Sequence, residues 1–163
     1  KTAEGAWMKK YDKIVFVSTD DTAGSPIADG IMRKLSVGRE LIIASRGMIV
    51  LFQEPINPIV IDVAERRGVT LGHRMTTAFS EDDIGDRNLI LTMTEKQRDM
   101  IYETYEDAIN VYTIQEFLGA EGDIEIPFGG GEEEYKEYFE RINILVRLVA
   151  EKLFTEEKEE KDN

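Results

Sequence analysis

The stretch Val17–Ala28 (V-S-T-D-D-T-A-G-S-P-I-A) determines how the rest of the chain is interpreted. It follows the apolar run Lys13–Val17 (K-I-V-F-V), whose continuous hydrophobicity is typical of a buried parallel strand. Ser25 and Pro26 then predict the start of a helix, with serine as the N-cap and proline at the first helical position. A strand, a polar loop and a helix in this order indicate an α/β protein. In such proteins ligands bind at the carboxyl ends of the strands.

The remaining sequence continues to alternate strand and helix patterns. Three further apolar runs predict strands, and they are Leu41–Ala44, Asn88–Met93 and Ile109–Ile114. Helical patterns follow Asn57 and Thr94, and an amphipathic helix beginning near Tyr135 ends the domain. This alternation predicts a single α/β domain whose four-stranded parallel sheet has helices on both faces, as in flavodoxin-like folds. We expect the domain to span 13–154, with an N-terminal extension at 1–12 and an acidic tail at 155–163.

The composition limits the partners that the protein can have. The 163 residues carry a formal net charge of −13, which disfavours nucleic acid and anionic membrane as partners. The sequence has no apolar run long enough to cross a bilayer, and we expect a cytoplasmic protein that needs no cofactor. It also has no cysteine, which excludes disulfides, thiolate metal sites and every mechanism with a cysteine nucleophile.

Four segments of the chain, in this order, resemble one protein family. They are K-I-V-F-V with S-P-I-A (13–17 and 25–28), R-G-V-T-L-G-H-R (67–74), N-L-I-L-T-M-T (88–94) and G-D-I-E-I-P-F-G-G-G-E-E-E-Y (122–135). The sequence is similar to the low-molecular-weight protein tyrosine phosphatases, of the bacterial kind that shares its fold with thiol-dependent arsenate reductases. The resemblance covers about 13–153 and implies the same fold.

The resemblance also implies a catalytic signature that this chain lacks. The family uses Cys-x5-Arg-Ser/Thr on the first loop and a distant aspartate as general acid. Matched by position, the cysteine falls on Ser18, the arginine on Gly24 and the acid on Ile126, so no catalytic group is intact. The candidate ligand loop comprises Ser18, Thr19, Asp20, Asp21, Thr22, Ala23, Gly24 and Ser25.

The two adjacent aspartates, Asp20 and Asp21, have the wrong charge for an anion site. A carboxylate about 5 Å from a phosphate opposes its binding by roughly 3 kcal/mol at an effective dielectric constant of about 20. We therefore expect weak or absent phosphate binding. Three alternatives remain for the aspartates. They fill the phosphate cradle with their own carboxylates, they point to solvent, or they bind a metal ion with Ser18, Thr19 and Thr22.

Two further features bear on function. His73 is the only histidine, and in the family its segment is structural, so a base for Ser18 is not evident. Met48–Phe52 (M-I-V-L-F) predicts either a buried strand or core loop, or an exposed apolar wall used for a partner. The leading hypothesis is a pseudophosphatase, a non-catalytic binding or regulatory module with a protein partner. The alternatives are a divergent phosphatase or hydrolase acting at the Ser18–Ser25 loop, and a self-associating structural protein.

Overall fold

A parallel sheet lies at the centre of the structure, a computed structural model that describes the backbone of residues 10–162 and the side chains of residues 10–156. Its strands are β1 (Lys13–Ser18), β2 (Ile42–Gly47), β3 (Asn88–Thr92) and β4 (Val111–Thr113). In the described residues their order across the sheet is β2-β1-β3-β4, and every pairing is parallel. The predicted four-stranded parallel sheet is therefore confirmed, and β1 lies inside it.

The helices pack on both faces of this sheet. They are α1 (Gly24–Leu35), α2 (Pro58–Glu65), α3 (Glu95–Thr104), α4 (Ile114–Phe117) and α5 (Glu132–Asp162), with a 3-10 turn at Glu81–Asp83. Side chains of β1 alternate between two apolar clusters, as the pleat of a strand requires. Ile14 and Phe16 join the larger cluster, which includes residues of α1, α2 and α5, whereas Val15 and Val17 join the smaller one beside α3.

The start of α1 differs from the prediction. Ser25 is not the N-cap, because α1 begins at Gly24 and Ala23 occupies the cap position without a side-chain hydrogen bond. The Ser25 hydroxyl instead points under the preceding loop, where it bonds to other side chains. The carboxyl end of β1 and the first turn of α1 are thereby joined more tightly than a simple cap would join them.

Two observations concern the ends of the predicted domain. Tyr11 is buried and belongs to the larger core cluster, upstream of the predicted boundary at residue 13. The predicted acidic tail continues the backbone of α5 to Asp162. Residues 1–9 of the predicted N-terminal extension lie outside the described residues. None of the helices described here is both long enough and apolar enough to span a lipid bilayer.

Candidate functional site

The site is built on the loop between β1 and α1, where Ser18 is the last residue of the strand. The Oγ atoms of Ser18 and Ser25 lie 2.6 Å apart, and the Ser18 oxygen also accepts a hydrogen bond from the backbone N–H of Asp21 at 3.1 Å. Ser25 donates to the Asp21 carboxylate at 2.7 Å. The Arg46 carbonyl, at 3.2 Å, is a second acceptor for the Ser25 hydroxyl. Because the one hydrogen of Ser25 is used by these acceptors, Ser18 is the donor in the Ser18–Ser25 bond.

Asp21 holds a carboxylate in the interior beneath the loop. Its residue is only 1% exposed, and its φ of 62° lies in the left-handed region, which turns the side chain inward. The second carboxylate oxygen accepts a hydrogen bond from the backbone N–H of Thr77 at 3.0 Å. Burial raises the pKa of Asp21, and the hydrogen bonds from Ser25, Thr77 and Ser45, with the charge of Arg74, partly offset this effect.

Asp20, the neighbouring aspartate, has the opposite environment. It is exposed, and its Oδ1 accepts hydrogen bonds from the backbone N–H and the hydroxyl of Thr22, at 3.1 and 2.6 Å. The alternative in which both aspartates face solvent is therefore wrong for Asp21. The alternative in which the aspartates fill the phosphate cradle holds in part. The Asp20 carboxylate accepts a hydrogen bond from a backbone amide of the loop, that of Thr22, whereas Asp21 accepts one from Thr77, which lies outside the loop.

Gly24 lies directly against a tyrosine of the last helix. A Cβ atom at this position would overlap the hydroxyl oxygen of Tyr138 and would lie 3.3 Å from Met93 Cγ. Tyr138 is 6% exposed, and burial raises the pKa of its hydroxyl far above the ordinary range, with Tyr135, Asp20 and Glu125 adding to the shift. The first atom of any side chain at residue 24 therefore has no room in this arrangement.

Ser18, Asp20, Gly24 and Tyr138 line one cleft with a volume of about 530 Å³. The structure brings Ser18, Gly24 and Ile126 together around it, with the Ile126 side chain half exposed in its wall. Asp21, Thr22 and Ser25, which the sequence placed in the same ligand loop, do not line it. The other lining residues are Thr19, Asp20, Ala23, Met93, Thr94, Lys96, Gln97, Asp123, Ile124, Glu125 and Tyr138.

Gln97 is a site residue that the sequence reasoning missed. Its buried side chain accepts hydrogen bonds from the backbone N–H groups of Met93 and Thr94, both at 3.0 Å, and donates to the Thr19 hydroxyl at 3.1 Å. It also completes a capping box with Thr94 at the start of α3. The spacing of Thr94 and Gln97 is a visible sequence signal for the cap, but the link to Thr19 joins distant parts of the chain.

The L-G-H-R segment supports the site from below. His73 is exposed, and the hydrogen-bond partners of the Ser18 hydroxyl are Ser25 and the backbone N–H of Asp21 rather than His73. Arg74 instead contacts Asp29, a fully buried carboxylate on α1, with 2.8 Å between Nη1 and Oδ2. Arg33 also pairs with Asp29. This buried charge therefore has two cationic partners, as a buried carboxylate requires.

The segment Met48–Phe52 forms neither a strand nor a core loop. Leu51 is 87% exposed and Phe52 is 71% exposed, while Met48 and Ile49 donate backbone hydrogen bonds to the carbonyl groups of Ser18 and Thr19. The exposed wall beside the loop is thus the alternative that the structure favours.

The third alternative for the aspartates, metal binding, has no support in the geometry. Residues with described side chains include no group of three histidine, aspartate or glutamate side chains arranged to hold an ion. Asp20 and Asp21 point in different directions.

Comparison with known proteins agrees with the geometry. The family model described as low molecular weight phosphotyrosine protein phosphatase matches residues 13–161. The chain belongs to this family. It is 33% identical over 134 residues to the low molecular weight protein-tyrosine-phosphatase PtpB of Staphylococcus haemolyticus, covering 82% of this chain and 94% of that protein. It is 30% identical over 148 residues to a protein-arginine-phosphatase of Geobacillus stearothermophilus, covering 89% and 98%.

Solved structures of the family share the fold. The YwlE arginine phosphatase from Geobacillus stearothermophilus superimposes with a TM-score of 0.83 at 28% identity, covering 90% of this chain and 96% of that one. The low molecular weight protein tyrosine phosphatase from T. tengcongensis gives a TM-score of 0.80 at 28% identity, covering 86% and 99%. This family member nevertheless has no cysteine anywhere in its sequence, so the nucleophile of the family signature is missing.

Proposed function

We propose that this family member is a pseudophosphatase, a non-catalytic binding or regulatory module that uses the cleft beside the Ser18–Ser25 loop. The observation that carries the proposal is the contact between Gly24 and Tyr138. The position matched to the family's arginine has no side chain, and the Tyr138 hydroxyl takes the space into which one would grow. The missing side chain and the neighbouring hydroxyl thus lie on two different elements, α1 and α5.

The other two replacements support the same proposal. A serine hydroxyl is a weak nucleophile without an activating base, and Ile126 has no proton to give to a leaving group. Without a guanidinium, the bidentate grip on phosphoryl oxygens is also lost. The carboxylate of Asp20 in the cleft wall adds repulsion toward a phosphate dianion.

The relatives suggest what kind of partner the module has. Their names describe phosphatases of protein tyrosine and of protein arginine, which supports another protein, or a second copy of this chain, as the partner. The exposed Leu51 and Phe52 supply apolar surface next to the loop. The named relatives are bacterial, which supports a bacterial protein. A cytoplasmic location stays a prediction, which cell fractionation would test.

The test is hydrolysis of an aryl phosphate, a phosphotyrosine peptide and phosphoarginine by the purified chain. Ser18→Ala is the matched control, because it removes only the candidate nucleophile. We expect the two proteins to give the same background rate. Turnover that Ser18→Ala abolishes would overturn the pseudophosphatase proposal.

One observation favours a second candidate, a slow phosphoryl-transfer enzyme. Ser18, Ser25 and Asp21 form a continuous hydrogen-bonded chain that ends on a carboxylate whose pKa is raised by burial. In this scheme Ser18 Oγ bonds to phosphorus as the bond to the leaving oxygen breaks. The Ser18 proton passes through Ser25 to Asp21, and water protonates the leaving group. A cysteine-to-serine variant of a YwlE arginine phosphatase is described with a phosphorylated active-site serine.

Mass spectrometry separates the two candidates. Incubation with acetyl phosphate would add one phosphoryl group to Ser18 if the second candidate is right, and Asp21→Asn would prevent this addition while leaving the fold intact. An unmodified chain after long incubation supports the binding module.

A further inference from the structure

The wall of the cleft carries more acidic than basic side chains. Asp20, Asp123 and Glu125 contribute three carboxylates to it, and Lys96 contributes the one ammonium among its lining residues. Asp20, Glu125 and Lys96 are exposed and Asp123 is half-buried, so all four groups are accessible to a ligand. The cleft therefore attracts cations rather than anions.

The carboxylates keep free acceptor capacity. Asp20 uses Oδ1 to bind Thr22, and Asp123 uses Oδ1 to accept the backbone N–H of Glu95 at 2.9 Å. Within the described residues, no hydrogen bond or ion pair engages the other oxygen of either aspartate or the carboxylate of Glu125. An incoming group with several N–H donors would find acceptors on three residues of the cleft wall.

Tyr138 gives an independent indication of a ligand. Its side chain is more than nine-tenths buried, it lines the cleft beside Gly24, and its hydroxyl has no hydrogen-bond partner among the described residues. Burial raises the pKa of this hydroxyl, so it remains neutral and can accept a hydrogen bond from an N–H donor. Because the hydroxyl oxygen is accessible from the cleft and makes no hydrogen bond with described residues, it is available to an N–H donor of a ligand.

The arrangement fits an organic cation better than a metal ion. No three carboxylates or histidines in the described part of the chain converge as metal ligands do. Met93, Ile124 and Ile126 add apolar wall, which suits the methylene stem of a long cationic side chain. We propose that the cleft binds an ammonium or guanidinium group, held between Asp20 and Glu125 with Tyr138 as an acceptor at the base of the cleft.

This inference rests on the proposed function, because it identifies the chemistry that the non-catalytic cleft recognises. The group can come from a free amine or from an arginine or lysine side chain of a protein. Calorimetric titrations of the full chain at low ionic strength would use agmatine, a blocked Gly-Arg-Gly peptide and inorganic phosphate. Tighter binding of the peptide identifies a protein side chain, and tighter binding of agmatine identifies a free amine.

Charge-neutralising variants locate the site. Asp20→Asn and Glu125→Gln should each weaken cation binding roughly fivefold, and Tyr138→Phe should weaken it by a similar factor. Lys96→Ala should tighten it, because the variant removes a like charge. Glu103→Gln is the matched control, since it makes the same charge change at an exposed position on α3 outside the cleft, and it should leave the affinity unchanged.

Three results would overturn the inference. The first is that neither agmatine nor the peptide binds. The second is that Glu103→Gln loses as much cation affinity as the cleft variants, and the third is that phosphate binds more tightly than both cations. These results are distinguishable from failure of the pseudophosphatase proposal, which would be seen as Ser18-dependent turnover in the hydrolysis assay whatever the titrations give.

Discussion

The buried carboxylate of Asp21 has three hydrogen-bond donors, which are Ser25, Thr77 and Ser45. The cation near it, Arg74, is partly exposed. Burial raises the pKa of Asp21, so the folded chain binds a proton at this position more tightly than the unfolded chain does. The stabilisation from that tighter proton binding is complete below the unfolded pKa of about 3.9 and is lost as pH rises through the folded value. At neutral pH the ionised side chain is therefore a net cost to the fold.

We expect Asp21→Asn to raise the free energy of unfolding at neutral pH by an amount on the order of 1 kcal/mol. Asparagine tolerates the left-handed backbone at this position, and its amide oxygen can still accept the Thr77 N–H. The advantage over the parent chain should shrink as pH falls through the raised pKa of Asp21, because the parent then becomes protonated. Urea denaturation between about pH 4 and 8 measures this dependence.

Asp20→Asn is the control for this experiment. It removes the same charge from the adjacent, exposed residue, so its effect should depend much less on pH. If Asp21→Asn were less stable than the parent at every pH, the hydrogen bonds from Ser25, Thr77 and Ser45, with the charge of Arg74, would outweigh the cost of burial.

At the scale of elements, the contact between α1 and α5 is the feature on which the pseudophosphatase proposal depends. Gly24 opens α1 and Tyr138 lies on α5, and these two helices have one of the larger interfaces in the fold. A side chain at residue 24 and the hydroxyl at residue 138 therefore exclude each other, and a double-mutant cycle can measure that exclusion.

We expect Gly24→Ala to lower the free energy of unfolding by about 1–3 kcal/mol, the usual cost of overpacking. Tyr138→Phe removes the overlapping oxygen, and the nearest remaining atom to the new Cβ, on Met93, lies at 3.3 Å. The double variant should therefore recover most of the loss. Strictly additive effects in urea denaturation would contradict the geometry.

Gln97 joins three elements through one side chain. We expect Gln97→Ala to cost about 1–2 kcal/mol, because it leaves the Thr94 amide without its acceptor and removes the bond to Thr19, while the Met93 amide keeps its second acceptor, the Val17 carbonyl at 3.0 Å. Gln97→Glu keeps the acceptor oxygen and should restore most of the stability. Hydrogen exchange at the Met93 and Thr94 amides would locate the change, and unaltered protection in Gln97→Ala would contradict this role.

Across the whole molecule, sequence reasoning succeeded where a property is local or repeated. The continuous apolar run of β1 and the alternation of strands with helices gave the sheet, and the zero cysteine count excluded the family's nucleophile. The directions of Asp20 and Asp21 were not accessible, because they depend on which of two adjacent, chemically identical residues adopts the left-handed conformation.

The contact of Tyr138 with Gly24 could not be predicted from the sequence either. In sequence Tyr138 is one member of an apolar stripe with Tyr135 and Phe139, and such a pattern predicts burial but not the partner. The partner is fixed by how α5 packs over α1, which depends on residues more than a hundred positions apart. The same long-range packing brings Asp123 and Glu125 to the loop after β1.

Restoring phosphatase activity should therefore require changes on several elements together. Ser18→Cys alone should give no turnover of an aryl phosphate, because the arginine and the acid are still missing. Adding Gly24→Arg and Ile126→Asp should still give little, since Tyr138 obstructs the new side chain. Adding Tyr138→Phe to that triple variant should give the first measurable rate. Circular dichroism of each variant would show that it is folded, and turnover from Ser18→Cys alone would show that Gly24 and Ile126 do not hold the positions assigned to them.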